Sequence, residues 1–195
     1  MKLLIIEGID RTGKNTLISS LLQLYSNVVI RHFSSAYGLS NIDKYKFQFE
    51  FFQKEFMLFR NNSSLFSNPI SSKRNEDLWI WNRSHIGEKV YGGLYRKTPT
   101  DWIYDMEKQF SFDIDPNIYV VNLYGEPEFL FKNEDGLSIG KTLENKSNEI
   151  QAFREAVSLS SIKNKISIRV DDGFNNYIDS DIITSKVLKF INDEN

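Results

Sequence analysis

An apolar run near the N-terminus, Leu3-Leu4-Ile5-Ile6, passes directly into Glu7-Gly8-Ile9-Asp10-Arg11-Thr12-Gly13-Lys14-Asn15-Thr16. A buried strand, a glycine-framed turn, a lysine and then apolar residues at helical spacing (Leu17, Ile18, Leu21, Leu22) come in the order that a phosphate-binding P-loop requires. The reason is geometric. Gly8 and Gly13 allow a tight turn whose backbone N–H groups converge on an anion, and the following helix adds the positive end of its dipole. Thr12, Gly13, Lys14, Asn15 and Thr16 would then cradle a nucleoside triphosphate, with Lys14 reaching the β- and γ-phosphates. ATP is the expected phosphoryl donor. One position departs from the pattern: Asn15 stands where a Ser or Thr hydroxyl normally meets Mg²⁺. Thr16 falls one position late and is expected to bond phosphate or backbone.

Composition narrows the alternatives. With 195 residues the chain is read as one domain, 1–195. The balance of 24 basic against 26 acidic residues gives no electrostatic footprint for duplex nucleic acid, so no stable nucleic-acid binding is expected and phosphate recognition must be local. The absence of cysteine excludes thiolate chemistry, and two histidines, His32 and His85, are too few for a histidine zinc site. Mg²⁺ is the metal to expect. No apolar run approaches the roughly 18 residues of a membrane span, so no membrane association and a cytoplasmic location are expected.

Strand-like runs recur at Lys2-Glu7, Asn27-Phe33, Asp77-Trp81, Asn117-Tyr124 and Lys165-Val170, separated by helical periodicity. This βαβα order predicts an α/β fold, a five-stranded parallel sheet flanked by helices. The alternation in Lys165-Val170 suits an edge strand. Ligands on such sheets bind beyond the carboxyl ends of the strands: Gly8 to Thr16, Phe33 to Tyr37, Asn82 to Ser84, and Gly125 onward. Asn41 to Arg60 carries seven aromatic rings and reads as a buried helix. Asn61 to Asn75 reads as a loop or broken helix around Pro69, and polar Asn133 to Asn148, with Lys132, Lys141 and Lys146 around it, as a lid over the triphosphate.

The P-loop, together with Asn82-Arg83-Ser84, resembles the thymidylate kinase family of P-loop nucleoside monophosphate kinases. The stretch from Ser84 to Gly92 is especially similar to phage-encoded deoxynucleotide kinases, and a host cytoplasm follows if the chain is of that kind. The resemblance implies that Asp10 holds the sugar 3′-hydroxyl, that Arg83 grips the acceptor monophosphate, and that Arg11 serves as an arginine finger in cis. It places an aromatic ring and, four residues later, an arginine against the base; Phe56 and Arg60 have that spacing, with Phe52 or Phe59 as alternative rings. Phe33 would line the nucleoside pocket, although Ala36 replaces the arginine usual three residues later. A second departure is Asn82, where an acidic residue usually orders the metal's waters, so Asn15 and Asn82 are the candidate metal contacts. Glu88 and His85 are candidates for the pocket wall, and Glu149 and Phe153 resemble positions that face the nucleotide. Homodimers are common in the family, and the aromatic helix offers an interface.

The expected activity is transfer of the γ-phosphoryl of ATP to a deoxynucleoside monophosphate, dTMP foremost. A deoxynucleoside kinase is the nearest rival, but it needs a carboxylate base at the end of the second strand, where this chain has Ile30-Arg31-His32-Phe33. A catalytically decayed nucleotide sensor is the third reading, motivated by the two asparagines.

Overall fold

The computed structural model describes residues 1–33, 40–66 and 78–192. Ala36, and the part of the Asn61–Asn75 segment from residue 67 onward, lie outside them. The described residues form five strands: β1 (Lys2–Glu7), β2 (Val28–His32), β3 (Leu78–Asn82), β4 (Ile118–Tyr124) and β5 (Asn164–Arg169). Their order is β2-β3-β1-β4-β5, and every pairing is parallel. The helices are α1 (Lys14–Leu24), α2 (Asn41–Phe66), α3 (His85–Tyr91), α4 (Trp102–Gln109), α5 (Pro127–Lys132), α6 (Leu143–Leu159) and α7 (Ser180–Asn192); a π-helical turn, Gly92–Arg96, prolongs α3.

Alternation along the central strands builds two cores. Leu3 and Ile5 of β1, Trp79 and Trp81 of β3, and Ile118 and Val120 of β4 face a layer that includes Phe52, Phe56, Phe59 and Phe153. Leu4, Ile6, Leu78, Ile80, Val121 and Leu123 face the other way, against Leu17, Leu21, Val187 and Ile191. Strands covered on both faces must be apolar throughout, which is why β1 reads as an unbroken hydrophobic run. The alternating strand β5 lies at an edge, as its pattern requires.

Helix α2 is longer than its sequence suggests. Residues 61–66, the start of the stretch read as a loop or broken helix, are its last turns. Of its rings, Phe52, Phe56 and Phe59 are at most 2% exposed, while Phe47 remains on the surface. The buried rings find partners within the chain, so their burial does not require a second copy. No helix among the described residues is long and apolar enough to cross a membrane.

The segment between α5 and α6 crosses the carboxyl end of the sheet and is fixed from beneath. Lys146, one of the lysines expected around the lid, is fully buried and ion-paired to Glu134. It lies in the first turn of α6, where Thr142 and Asn145 form a capping box, so the stretch 143–148 is helix. Burial alone would raise the Glu134 carboxyl, but hydrogen bonds from Lys146 and Ser138 hold it down to about 2.

This ion pair generates a stability prediction. Because the folded-state value is depressed, its stabilisation is complete above the ordinary carboxyl value of 4.5 and fades as pH falls toward about 2. Glu134→Gln leaves a buried ammonium without a counter-charge and should cost roughly 3 kcal/mol at pH 7. In urea unfolding, the difference between variant and wild type should shrink as pH falls from 5 toward 3; a pH-independent difference would contradict the pairing.

Candidate active site

The turn after β1 is shaped by backbone constraint. Gly8 has φ +134°, and a Cβ there would run into the Leu123 carbonyl oxygen. Arg11 also sits in the left-handed region, at φ 69°, a conformation that costs a non-glycine residue free energy and is concentrated at ligand sites. Gly13 precedes α1 without any side-chain cap, so the first amides of the helix have no protein side chain to satisfy them. Lys14 folds back into the loop, its Nζ donating to the carbonyls of Gly8 at 2.8 Å and Ile9 at 2.6 Å. Burial, aided by the nearby Arg83 guanidinium, lowers the Lys14 ammonium to about 7.

Arg83 is delivered from the neighbouring strand. Glu7, fully buried at the end of β1, accepts from Ser84 Oγ at 2.5 Å and from the Gly87 amide at 3.1 Å. Ser84 Oγ in turn accepts from the Ile86 amide at 3.1 Å and caps α3. Between strand and helix, Arg83 is held at φ 66°. Its guanidinium is ion-paired with Asp10 and lies 5.7 Å from the centroid of the Tyr91 ring. Burial works against the Asp10 carboxylate, yet Arg83 and Lys14 keep the carboxyl below its usual range.

The P-loop separates two cavities. The first, about 480 Å³, runs from Asp10, Lys14 and Arg83 across the end of β3 toward Phe33, Gln48 and Phe52, with Asp135, Leu137 and Ile139 along its rim. The second, about 540 Å³, lies between the P-loop and the start of α7 and is walled by Leu17, Leu123, Val170, Tyr177 and Ile183. Arg11, Gly13 and Thr16 border both. Arg11 is fixed twice: its guanidinium pairs with Asp135, and its carbonyl accepts from Tyr177 Oη at 2.9 Å.

Most of the residues singled out in the sequence converge here. Asp10, Arg11, Gly13, Lys14, Asn15, Thr16, Phe33, Asn82 and Arg83 line the first cavity, and Thr12 the second. Phe56 and Arg60 do not. Phe56 is fully buried and stacked on Phe112 at 4.1 Å, within the core. Arg60 points to the opposite end of the sheet, donating to the Phe110 carbonyl at 2.5 Å and to Asp115 at 2.5 Å. Phe59 is likewise core, edge-on to Trp79. Of the alternative rings Phe52 reaches the cavity, with Gln48 one turn before it. Glu88 lines the wall, ion-paired to Arg96. His85 does not: it is buried against Glu107 at 2.9 Å. Glu149 accepts from Tyr95 Oη, and Phe153 packs edge-on to Tyr91, both outside the lining. Sequence reasoning missed Gln48, Tyr91, Arg96, Asp135 and Tyr177. The π-helical turn brings Arg96 to the wall, and no single-residue signal marks the others.

The two asparagines meet. Asn82 Nδ2 donates to Asn15 Oδ1 at 2.9 Å, and Asn82 Oδ1 is buried without a partner. The pair thus presents neutral amide oxygens and no carboxylate, and among the described residues no cluster of three His, Asp or Glu side chains could hold a metal. Such a donor set suits Mg²⁺ whose charge is already balanced by nucleotide phosphates and is a poor cage for the free ion.

No protein-family model matches the chain, and no curated protein matches it in sequence. Solved structures do match in fold. Thymidylate kinase from Ehrlichia chaffeensis superposes with a TM-score of 0.62 at 15% identity, covering 96% of this chain and 97% of that one. The YorR protein of Bacillus subtilis, solved with phosphorylated GDP, gives 0.60 at 16% identity, with 97% and 95% covered. Thymidylate kinase from Candida albicans gives 0.53 at 16% identity, with 97% and 90% covered. The architecture is therefore that of a thymidylate kinase-like P-loop protein.

Lys14 yields a protonation prediction. Held at about 7 in the free site, it is mostly neutral at pH 8.5, and phosphate oxygens in contact would favour its charged form. Binding of a nucleoside triphosphate at pH 8.5 should therefore take up close to one proton, and at pH 6 close to none. Calorimetric titrations in buffers of different ionisation enthalpy measure this; equal uptake at both pH values would contradict the assignment.

Proposed function

We propose that this chain transfers the γ-phosphoryl of ATP to a deoxynucleoside monophosphate, dTMP foremost, yielding the diphosphate. The observation that carries the reading is the pair of cavities bordered by one P-loop, with Arg11, Gly13 and Thr16 on both and Lys14 and Arg83 lining the first. A triphosphate laid along the loop would direct its nucleoside into the apolar second cavity. Its γ-phosphate would then face the first, where Arg83 would hold the acceptor phosphate in line. An acceptor phosphate oxygen attacks the γ-phosphorus as the bond to the ADP oxygen breaks. Charge spread over the equatorial oxygens is met by Lys14 and Arg11, so catalysis is positioning and electrostatics. Mg²⁺ bound with the nucleotide would neutralise phosphate charge beside Asn15 and Asn82.

Among the described residues the carboxylates lining the acceptor cavity, Asp10, Glu88 and Asp135, are each ion-paired to an arginine. None is free to deprotonate a 5′-hydroxyl, which favours a monophosphate acceptor over a nucleoside.

A coupled assay of ADP formation tests the proposal. Wild type with saturating Mg·ATP should phosphorylate dTMP and leave thymidine nearly untouched; a thymidine rate comparable with the dTMP rate would favour a nucleoside kinase. Nucleotide binding with no dTMP turnover would leave a sensor. Lys14→Ala should lower turnover by about 100-fold or more. Arg83→Ala should raise the KM for dTMP by roughly 10- to 100-fold while changing that for ATP far less, since a charge-assisted hydrogen bond to one substrate is lost.

A further inference from the structure

The end of the acceptor cavity away from the P-loop is built from the end of β2 and one face of α2. Phe33 and Phe52 stack there with ring centroids 5.0 Å apart and planes 19° from parallel. Gln48 lies one helical turn before Phe52 and also lines the cavity. Its side chain is 4% exposed, and its amide makes no hydrogen bond to any described residue. A primary amide on a cavity wall that bonds no described residue has donor and acceptor capacity left for whatever fills the cavity.

With the phosphate end fixed by Lys14 and Arg83, the part of the ligand that reaches Gln48 is the base. The other charged groups of this wall are occupied, Glu88 by Arg96 and Arg83 by Asp10. Arg60, the cation that the sequence suggested for the base, is bound elsewhere. The distinction matters chemically. A guanidinium only donates and so selects a carbonyl edge. A carboxamide carries one acceptor oxygen and one donor nitrogen, and a half-turn about its last torsion exchanges them. It can pair with uracil or thymine, which offer N3–H and O4, and with cytosine, which offers N3 and the 4-amino group.

We propose that Gln48 reads the base of the acceptor nucleotide and accepts keto and amino pyrimidines alike, so that the substrate class is deoxypyrimidine monophosphates of both kinds. This rests on the acceptor site proposed above, and its test includes a measurement that needs no turnover.

Deoxyuridine and deoxycytidine monophosphates differ only along this edge. Calorimetric dissociation constants of dUMP and dCMP for the full chain should agree within about tenfold, and so should their KM values with ATP. Gln48→Leu, similar in volume but apolar, should weaken both by roughly 10- to 100-fold, in KM more than in kcat, with little change in the KM for ATP. Gln48→Glu, whose carboxylate only accepts, leaves one edge atom of either base, uracil O4 or cytosine N3, facing an acceptor; it should weaken both by more than tenfold without separating them and serves also if the leucine variant fails to fold. A wild-type preference beyond tenfold, unaltered binding by Gln48→Leu or Gln48→Glu, or binding of neither monophosphate to wild type would overturn the proposal. Binding that follows this pattern without turnover of any monophosphate would retain Gln48 as the reader and overturn only the kinase reading.

Discussion

The buried carboxylate of Glu7 joins the two halves of the site. It ends β1 immediately before the P-loop, and it accepts from Ser84 and Gly87, which begin α3 immediately after Arg83. Ile6 pairs with Asn82 across the sheet, so the ladder sets the height of the two turns and Glu7 sets their mutual orientation. Arg83 can remain in a left-handed conformation because the residues flanking it are held on both sides. Burial raises the Glu7 carboxyl, yet one of its oxygens carries two hydrogen bonds. This tie fixes the turn that carries Arg83 against the start of the P-loop that carries Lys14.

The cations of the site are engaged by groups of the chain itself. Lys14 bonds two loop carbonyls, Arg83 pairs with Asp10, and Arg11 pairs with Asp135. Each cation is held near where a phosphate would meet it, which reduces the reorganisation needed on binding. A phosphate bound there would have to displace or share each partner, so its binding would be offset by the internal bonds that it loosens. The Arg11–Asp135 pair also joins the P-loop to the segment over it, which Glu134 and Lys146 anchor beneath.

The sheet was legible in the sequence because strands buried on both faces leave unbroken apolar runs, and the P-loop because few other turns demand that glycine spacing. The end of the first cavity formed by α2 was not legible, for a definite reason. Gln48, Phe52, Phe56 and Arg60 follow one another at four-residue spacing along one stripe of α2, so by spacing alone they have equal claims to the pocket. What differs is the surface opposite: the cavity faces Gln48 and Phe52, whereas Trp81 and Phe112 face Phe56. Only the tertiary arrangement decides where a stripe stops facing a cavity and starts facing a core. The two asparagines show the same limit, since Asn15 and Asn82 read as separate departures and prove to be hydrogen-bonded partners.

The central claim is that one P-loop serves two nucleotide cavities at once. Binding of a dinucleotide in which adenosine and thymidine are joined by five phosphates tests it most directly, because such a ligand can span both cavities only if they are connected through the loop. The account predicts one molecule bound per chain, at least about 100-fold more tightly than ADP or dTMP alone, as expected when two sites are filled by one tethered ligand. An affinity no greater than that of ADP, or two molecules bound per chain, would contradict it.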